Sequence, residues 1–223
     1  MTLPRFGALL GFLLIFSLAV PSAAQAAAPA PLGGGSVLQS GSVSRCTAGF
    51  AAVSGNVGYL IASSACGKQG DTIRSAGRVV GVVSSAPFPP TGAIVIRVTN
   101  TTDWRLVGSI PPGDNRVVVS GAVEAPVGAS VCRYGATTGW RCGVIQGKNH
   151  TITFPEGTLR GLTRTNVCAE PGDIGGPFVS GTQAQGILVG GSGNCTSGGT
   201  SYFLPVNRVL SAYGLTILTG TSR

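Results

Sequence analysis

Few side chains in this sequence are equipped to move protons or donate electron pairs. It holds a single histidine, seven acids and six cysteines in 223 residues. The densest functional pattern is Asn166-Val167-Cys168-Ala169-Glu170-Pro171-Gly172-Asp173-Ile174-Gly175-Gly176-Pro177, which sets a cysteine, two acids and three glycines close together. At its centre stands Ile174, whose aliphatic side chain has no ionisable proton and no lone pair. It cannot attack a carbonyl or hold an acyl group. His150, in Lys148-Asn149-His150-Thr151, is the only imidazole and no Cys-x-x-Cys pair is present, so neither a metal site nor any cofactor is expected. Ser63 and Ser64 stand side by side, but hydroxyls without a neighbouring base are weak nucleophiles.

The elements that would position these groups read as short strands. Glycine contributes 36 residues, aromatics 6% and charged residues 10%, a composition suited to many strands and tight turns. Val57-Gly58-Tyr59-Leu60-Ile61-Ala62, Val79-Val80-Gly81-Val82-Val83, Ala93-Ile94-Val95-Ile96-Arg97-Val98 and Val117-Val118-Val119 are apolar runs of strand length with turn residues on both sides. Thr151-Ile152-Thr153-Phe154 alternates, as a strand with one wet face does. Asn207 to Tyr213 suits a short terminal helix, capped by Asn207 and stopped by Gly214.

The start of the chain reads as an export signal. Arg5 precedes an apolar run from about Gly7 to Val20, and Ala24-Gln25-Ala26 fits a small-x-small cleavage pattern. The run falls short of the roughly 20 apolar residues a membrane span needs. Cleavage near Ala26, a secreted or extracytoplasmic product and no membrane span are therefore expected. Six cysteines in an exported chain then argue for bridges, although spacing alone leaves every pairing open. The net charge of +8 is carried mostly by arginine, yet no basic run is interleaved with stacking aromatics, so nucleic acid is not an expected partner.

The Asn166–Pro177 stretch resembles, nearly residue for residue, the segment that carries the nucleophile in chymotrypsin-fold serine proteases of the secreted bacterial, alpha-lytic-protease-like branch. The resemblance runs from about Gly41 to Leu218, anchored at Cys66, Cys132, Cys142, Cys168, Gly172 and Cys195. It implies an all-β fold of two antiparallel six-stranded Greek-key barrels with a short C-terminal helix. The expected divisions are a signal peptide at 1–26, an Ala/Pro/Gly-rich linker at 27–40 with Gly33-Gly34-Gly35 mobile, a first barrel at 41–120, and a second barrel with the terminal helix at 121–223. Many members carry a long pro-segment where this sequence leaves room for only a few residues. The resemblance implies bridges Cys46–Cys66, Cys132–Cys142 and Cys168–Cys195, and a buried ion pair between Arg133 and Asp173.

The same resemblance implies where a catalytic triad would lie, and each position is changed. Ile174 replaces the nucleophile, Ala65 the general-base histidine and Gly92 the orienting aspartate, while Val189 replaces a supporting serine. The alignment at Gly92 rests on Phe88-Pro89 and Ile96-Arg97-Val98. Backbone N–H groups of Gly172 and Ile174 would remain as an oxyanion-hole-like pair, and Val189-Gly190-Gly191 as a pocket wall and an edge for an extended peptide. His150 is placed as an exposed histidine on a peripheral strand of the second barrel. Hydrolysis by a serine triad needs nucleophile, base and orienting group together. The expectation is thus a secreted, monomeric, catalytically inactive protease homologue, a pseudoprotease with a peptide or protein ligand, acting as a binding or decoy module. Two alternatives are a residual or unconventional serine hydrolase, and an exported structural or cell-surface interaction protein.

Overall fold

The computed structural model describes residues 27–220, apart from 42, 44, 86–90 and 115. The expected signal peptide, and the Phe88-Pro89 anchor, therefore lie outside the described residues.

Two antiparallel β systems pack against each other. The first is a six-stranded sheet in the order Thr216–Ile217, Phe50–Ser54, Val57–Ser63, Ala93–Val98, Arg78–Ser85, Thr72–Ser75. Its outer strand is bridged through Arg74 to Gln39, next to Val37–Leu38, which pairs with Cys46–Thr47 just ahead of Phe50. The sheet thus curls round toward its own beginning. The second is a closed six-stranded barrel of Ser130–Gly135, Gly139–Phe154, Gly157–Thr165, Gly198–Pro205, Gln183–Asn194 and Pro177–Ser180.

The period-2 side-chain alternation of a strand explains why so many strands are apolar on both faces. Leu60, Ala62, Ile94 and Ile96 fill the interior of the first sheet, while their neighbours Ile61, Ala93 and Val95 join a separate core shared with the second barrel. The second barrel does the same, with Phe178 and Leu188 inside it and Val179, Ile187 and Val189 facing the shared core. One face of each sheet therefore builds its own barrel, and the other glues the two together.

Three expectations are corrected here. The stretch 27–40 is no open linker. Ala30–Leu32 forms a parallel pair with Trp104–Leu106, Leu32 is fully buried, and Gly33, Gly34 and Gly35 are buried because a Cβ on them would strike Val107, Gly49 and Tyr134. These glycines serve close packing, not mobility. The terminal helix spans Val206–Tyr213 with Pro205 at its N-cap and no side-chain cap. Asn207 lies inside it and donates to the Ala122 carbonyl at 2.9 Å, while Gly214 ends it in the left-handed conformation as expected. Finally, 121–223 does not stay with the second barrel. Thr216–Ile217 crosses back to pair with Ala52 and Val53, stitching the tail onto the first sheet.

Candidate functional site

The Asn166–Pro177 loop is anchored from below by Asp173. Asp173 and Arg133 are both wholly buried and meet at 3.1 Å. Oδ2 also accepts from the Glu170 N–H at 2.9 Å and the Thr138 hydroxyl at 2.8 Å. Oδ1 accepts from the Thr137 and Thr138 N–H groups at 3.0 and 3.1 Å. Arg133 Nη2 donates further to the Cys168 carbonyl at 2.9 Å. Burial pushes the Asp173 carboxyl up, but the Glu170 N–H, the Arg133 charge and the Thr138 and Thr137 donors outweigh it and hold the group below the usual carboxylate range. On Arg133 burial prevails, lowering it despite Asp173. The three bridges Cys46–Cys66, Cys132–Cys142 and Cys168–Cys195 are all formed.

From that anchor the backbone turns outward. Gly172 and Gly175 have φ of 93° and 89°, the left-handed region in which a side chain is strained. Three N–H groups in this loop have backbone acceptors. Asp173 donates to the Glu170 carbonyl at 3.0 Å, Gly175 to Leu188 at 2.9 Å and Gly176 to Asp173 at 2.9 Å. The N–H groups of Gly172 and Ile174 between them take no acceptor among the described residues. Ile174 itself is half-buried and packs against both the first-sheet core and the Val131–Phe203 cluster.

The remaining sequence-predicted positions gather beside this loop. The Ile174 carbonyl accepts from the Thr47 N–H at 2.8 Å, and a Cβ on Gly175 would lie 3.2 Å from Cys66 Sγ, so the loop abuts the 3₁₀ turn Ser64–Cys66. Ala65 is exposed in that turn, with its N–H donated to Ser63 Oγ at 3.3 Å. The Ser64 N–H donates to the Gly92 carbonyl at 3.0 Å, which puts Gly92 directly behind the turn. A cleft of about 410 Å³ opens between the barrels here. Ser63, Ser64, Ala65 and Lys68 line one side of it, and Phe154, Glu156, Leu159 and Val189 the other. Ser63 is buried and turned to the Ala65 N–H.

The two pocket walls are held together by a side chain the sequence did not flag. Glu170 Oε1 accepts from the Cys195 N–H at 2.8 Å, beside the Cys168–Cys195 bridge. Val189 is buried at 7% exposure and joins the shared core. Beyond Leu188, whose N–H and carbonyl bond Gly176 and Gly175, the strand Gln183–Asn194 pairs only with Gly198–Pro205. Its other edge, starting at Val189, is free of any described strand. His150 stands apart from this constellation. It is half-buried on Gly139–Phe154, edge-on to Tyr202 with ring centroids 5.8 Å apart, and so is less exposed than expected. No cluster of three or more His, Cys, Asp or Glu among the described residues is arranged to hold a metal.

Leu159, Phe154, Glu170 and Arg45 are the site residues that sequence reasoning missed. Leu159 and Phe154 come from the far barrel, and only tertiary packing brings them here. Arg45, whose Cδ lies 3.0 Å from a Cβ built on Gly172, carried one usable signal, its place immediately before Cys46.

Anchored loop, half-buried backbone donors and an inter-barrel cleft together define a chymotrypsin-type architecture. Comparison with known proteins agrees. Residues 105–212 match the trypsin family. Streptogrisin-C of Streptomyces griseus is 45% identical over 202 residues, covering 89% of this chain and 43% of that protein. Glutamyl endopeptidase 2 of the same organism is 32% identical over 194 residues, covering 83% of this chain and 98% of that protein. Among solved structures, the Cellulomonas bogoriensis chymotrypsin superposes with a TM-score of 0.75 at 44% identity, over 85% of this chain and all of that one. The chain belongs to the chymotrypsin-fold family of bacterial serine proteases, and it spans less than half the length of streptogrisin-C. No helix of the described residues is long and apolar enough to cross a membrane.

Proposed function

We propose that this chain is exported after cleavage near Ala26 and works, as a monomer, as a catalytically silent protease homologue, a binding or decoy module for an extended peptide or protein segment. The observation that carries the silence is chemical. The positions that gather at the cleft are Ile174, Ala65, Gly92 and Val189, and none offers a nucleophile, a base or an orienting acid. Loss of such a set costs on the order of a millionfold in rate. Support for retained binding comes from the free edge at Val189-Gly190-Gly191, to which a peptide adds as a strand, and from the two unused N–H groups. Export into an oxidising compartment accords with the three disulfides.

Hydrogen exchange tests the binding half. Added peptides should protect the amides of 189–191 and of 172 and 174, with little change elsewhere. Uniform exchange with and without peptide, at millimolar concentrations, removes the cleft as a binding site.

A further inference from the structure

Gly172 and Ile174 present their N–H groups from half-buried backbone, and neither has an acceptor among the described residues. Two unmatched donors two residues apart in one turn are available to a ligand oxygen. Beside it lies Arg45. Its Cδ would stand 3.0 Å from a Cβ on Gly172, so its side chain runs along that residue, and Nη2 is fixed by donating to the Ala136 carbonyl at 2.6 Å. Arg45 is exposed and forms no ion pair among the described residues. Its stem therefore lies along the Gly172 turn, and its guanidinium is tied to Ala136 beside that turn.

The acids nearby are turned away. Asp173 is buried and paired with Arg133 and its threonine donors, and Glu170 Oε1 is directed to the Cys195 N–H. Lys68 and Glu156 both line the neighbouring cleft, one charge of each sign. Arg45 thus brings a cation without an ion-pair partner among the described residues to the Gly172 side of the turn. Two N–H groups plus a guanidinium suit an anion with two oxygens better than a neutral carbonyl with one, because charge-assisted hydrogen bonds are roughly twice as strong as neutral ones.

Resting on the cleft-binding reading above, we infer that the ligand is a peptide ending in this site, its C-terminal carboxylate held by the Gly172 and Ile174 N–H groups and by Arg45. The preceding residues then run along Val189-Gly190-Gly191. With Ile174 in place of a hydroxyl no acyl group can form, so the site recognises chain ends of the kind a protease releases instead of making them.

The test uses acetylated Ala-Ala-Ala-Xaa tetrapeptides, with Xaa as Leu, Phe, Ala, Glu or Lys, each as free acid and as carboxamide. Binding is followed by amide chemical shifts of the isotopically labelled protein. The expected result is an acid that binds about tenfold more tightly than its amide, with Gly172 and Ile174 shifting only for the acid. Arg45→Gln should shrink that ratio several-fold, and Arg45→Lys should keep part of it. Equal binding of acid and amide overturns this inference while leaving the peptide-binding reading intact. A ratio untouched by Arg45→Gln overturns the role of the guanidinium. Binding of neither form overturns both readings.

Discussion

Leu159 of the second barrel occupies the space over Gly92 of the first. A Cβ on Gly92 would lie 2.7 Å from Leu159 Cδ1 and 3.0 Å from Cδ2, and Gly92 has a φ of 70°. The position at which the family resemblance calls for an acid is thus both backbone-restricted and sealed by hydrocarbon. Leu159 is 2% exposed and belongs with Ala93, Ile61 and Val189 to the core shared by the barrels.

Gly92→Asp should therefore destabilise the protein, by about 1–3 kcal/mol from overpacking and strain. Leu159→Ala should cost about 2–4 kcal/mol through the cavity it leaves. In the double variant the cost should fall below the sum, by about 0.5 kcal/mol or more, because the clash is relieved. Urea denaturation of the four proteins measures this, and strict additivity would show that the two residues do not touch.

Arg133 and Asp173 behave as a unit. Arg133→Met strands a buried carboxylate and should cost about 3–5 kcal/mol, whereas adding Asp173→Leu removes that charge but leaves the Glu170, Thr137 and Thr138 N–H groups without their acceptor, so the double variant should stay well below the parent. Calorimetry of both variants distinguishes a paired charge from simple loss of volume.

The same carboxylate sets a pH dependence. Its folded pKa lies below its usual value, which is about 3.9 in an unfolded chain. The unfolded state then takes up the proton first as the medium is acidified, so this contribution is whole above about pH 5 and drains away as pH falls through the folded pKa. Stability measured from pH 6 downward should drop less steeply in the Arg133→Met, Asp173→Leu double variant than in the parent. Parallel curves would mean that Asp173 does not titrate differently on folding.

On the proposed reading, a hydroxyl introduced at 174 alone should bring no activity. Ile174→Ser gives up apolar contact with two clusters, worth about 1–3 kcal/mol, and gains a hydroxyl whose neighbour at the base position is Ala65. A fluorophosphonate probe should leave this variant unlabelled. Labelling would reveal a base that the cleft described above does not contain.

The Cys46–Cys66 bridge closes a loop with a sequence separation of 20, for which loss of the cross-link costs about 3 kcal/mol. Because Cys66 Sγ sits against Gly175, the Cys46→Ala, Cys66→Ala variant should also speed hydrogen exchange in the 172–176 loop, read out by mass spectrometry. Unchanged exchange there would make the bridge a purely local staple.

What was legible in the sequence was whatever a short, dense motif or a fixed partner announced. The cysteine pairs, the Arg133–Asp173 contact and the apolar runs of the strands all appear where the family resemblance and the strand period put them. The misreadings share one cause, that local composition does not disclose tertiary use. Gly33-Gly34-Gly35 reads as slack in a string of Ala and Pro, yet Gly33 and Gly34 lie against the Val107 and Gly49 carbonyls and Gly35 against the Tyr134 ring. Thr216–Ile217 is too short to signal a strand, and its role depends on an edge at Phe50–Ser54 that lies far away in the chain. Asn207 resembles a cap by type alone, while the helix begins one residue earlier and uses the side chain on Ala122. Leu159 over Gly92 was invisible for the same reason, since nothing in either neighbourhood names the other.

Turnover of peptide amides by the purified chain, scored alongside labelling by a fluorophosphonate, tests the central claim most directly. Catalytic silence predicts no labelling and a cleavage rate indistinguishable from buffer. Appreciable cleavage that stops when the chain is treated with the serine-directed reagent would contradict it.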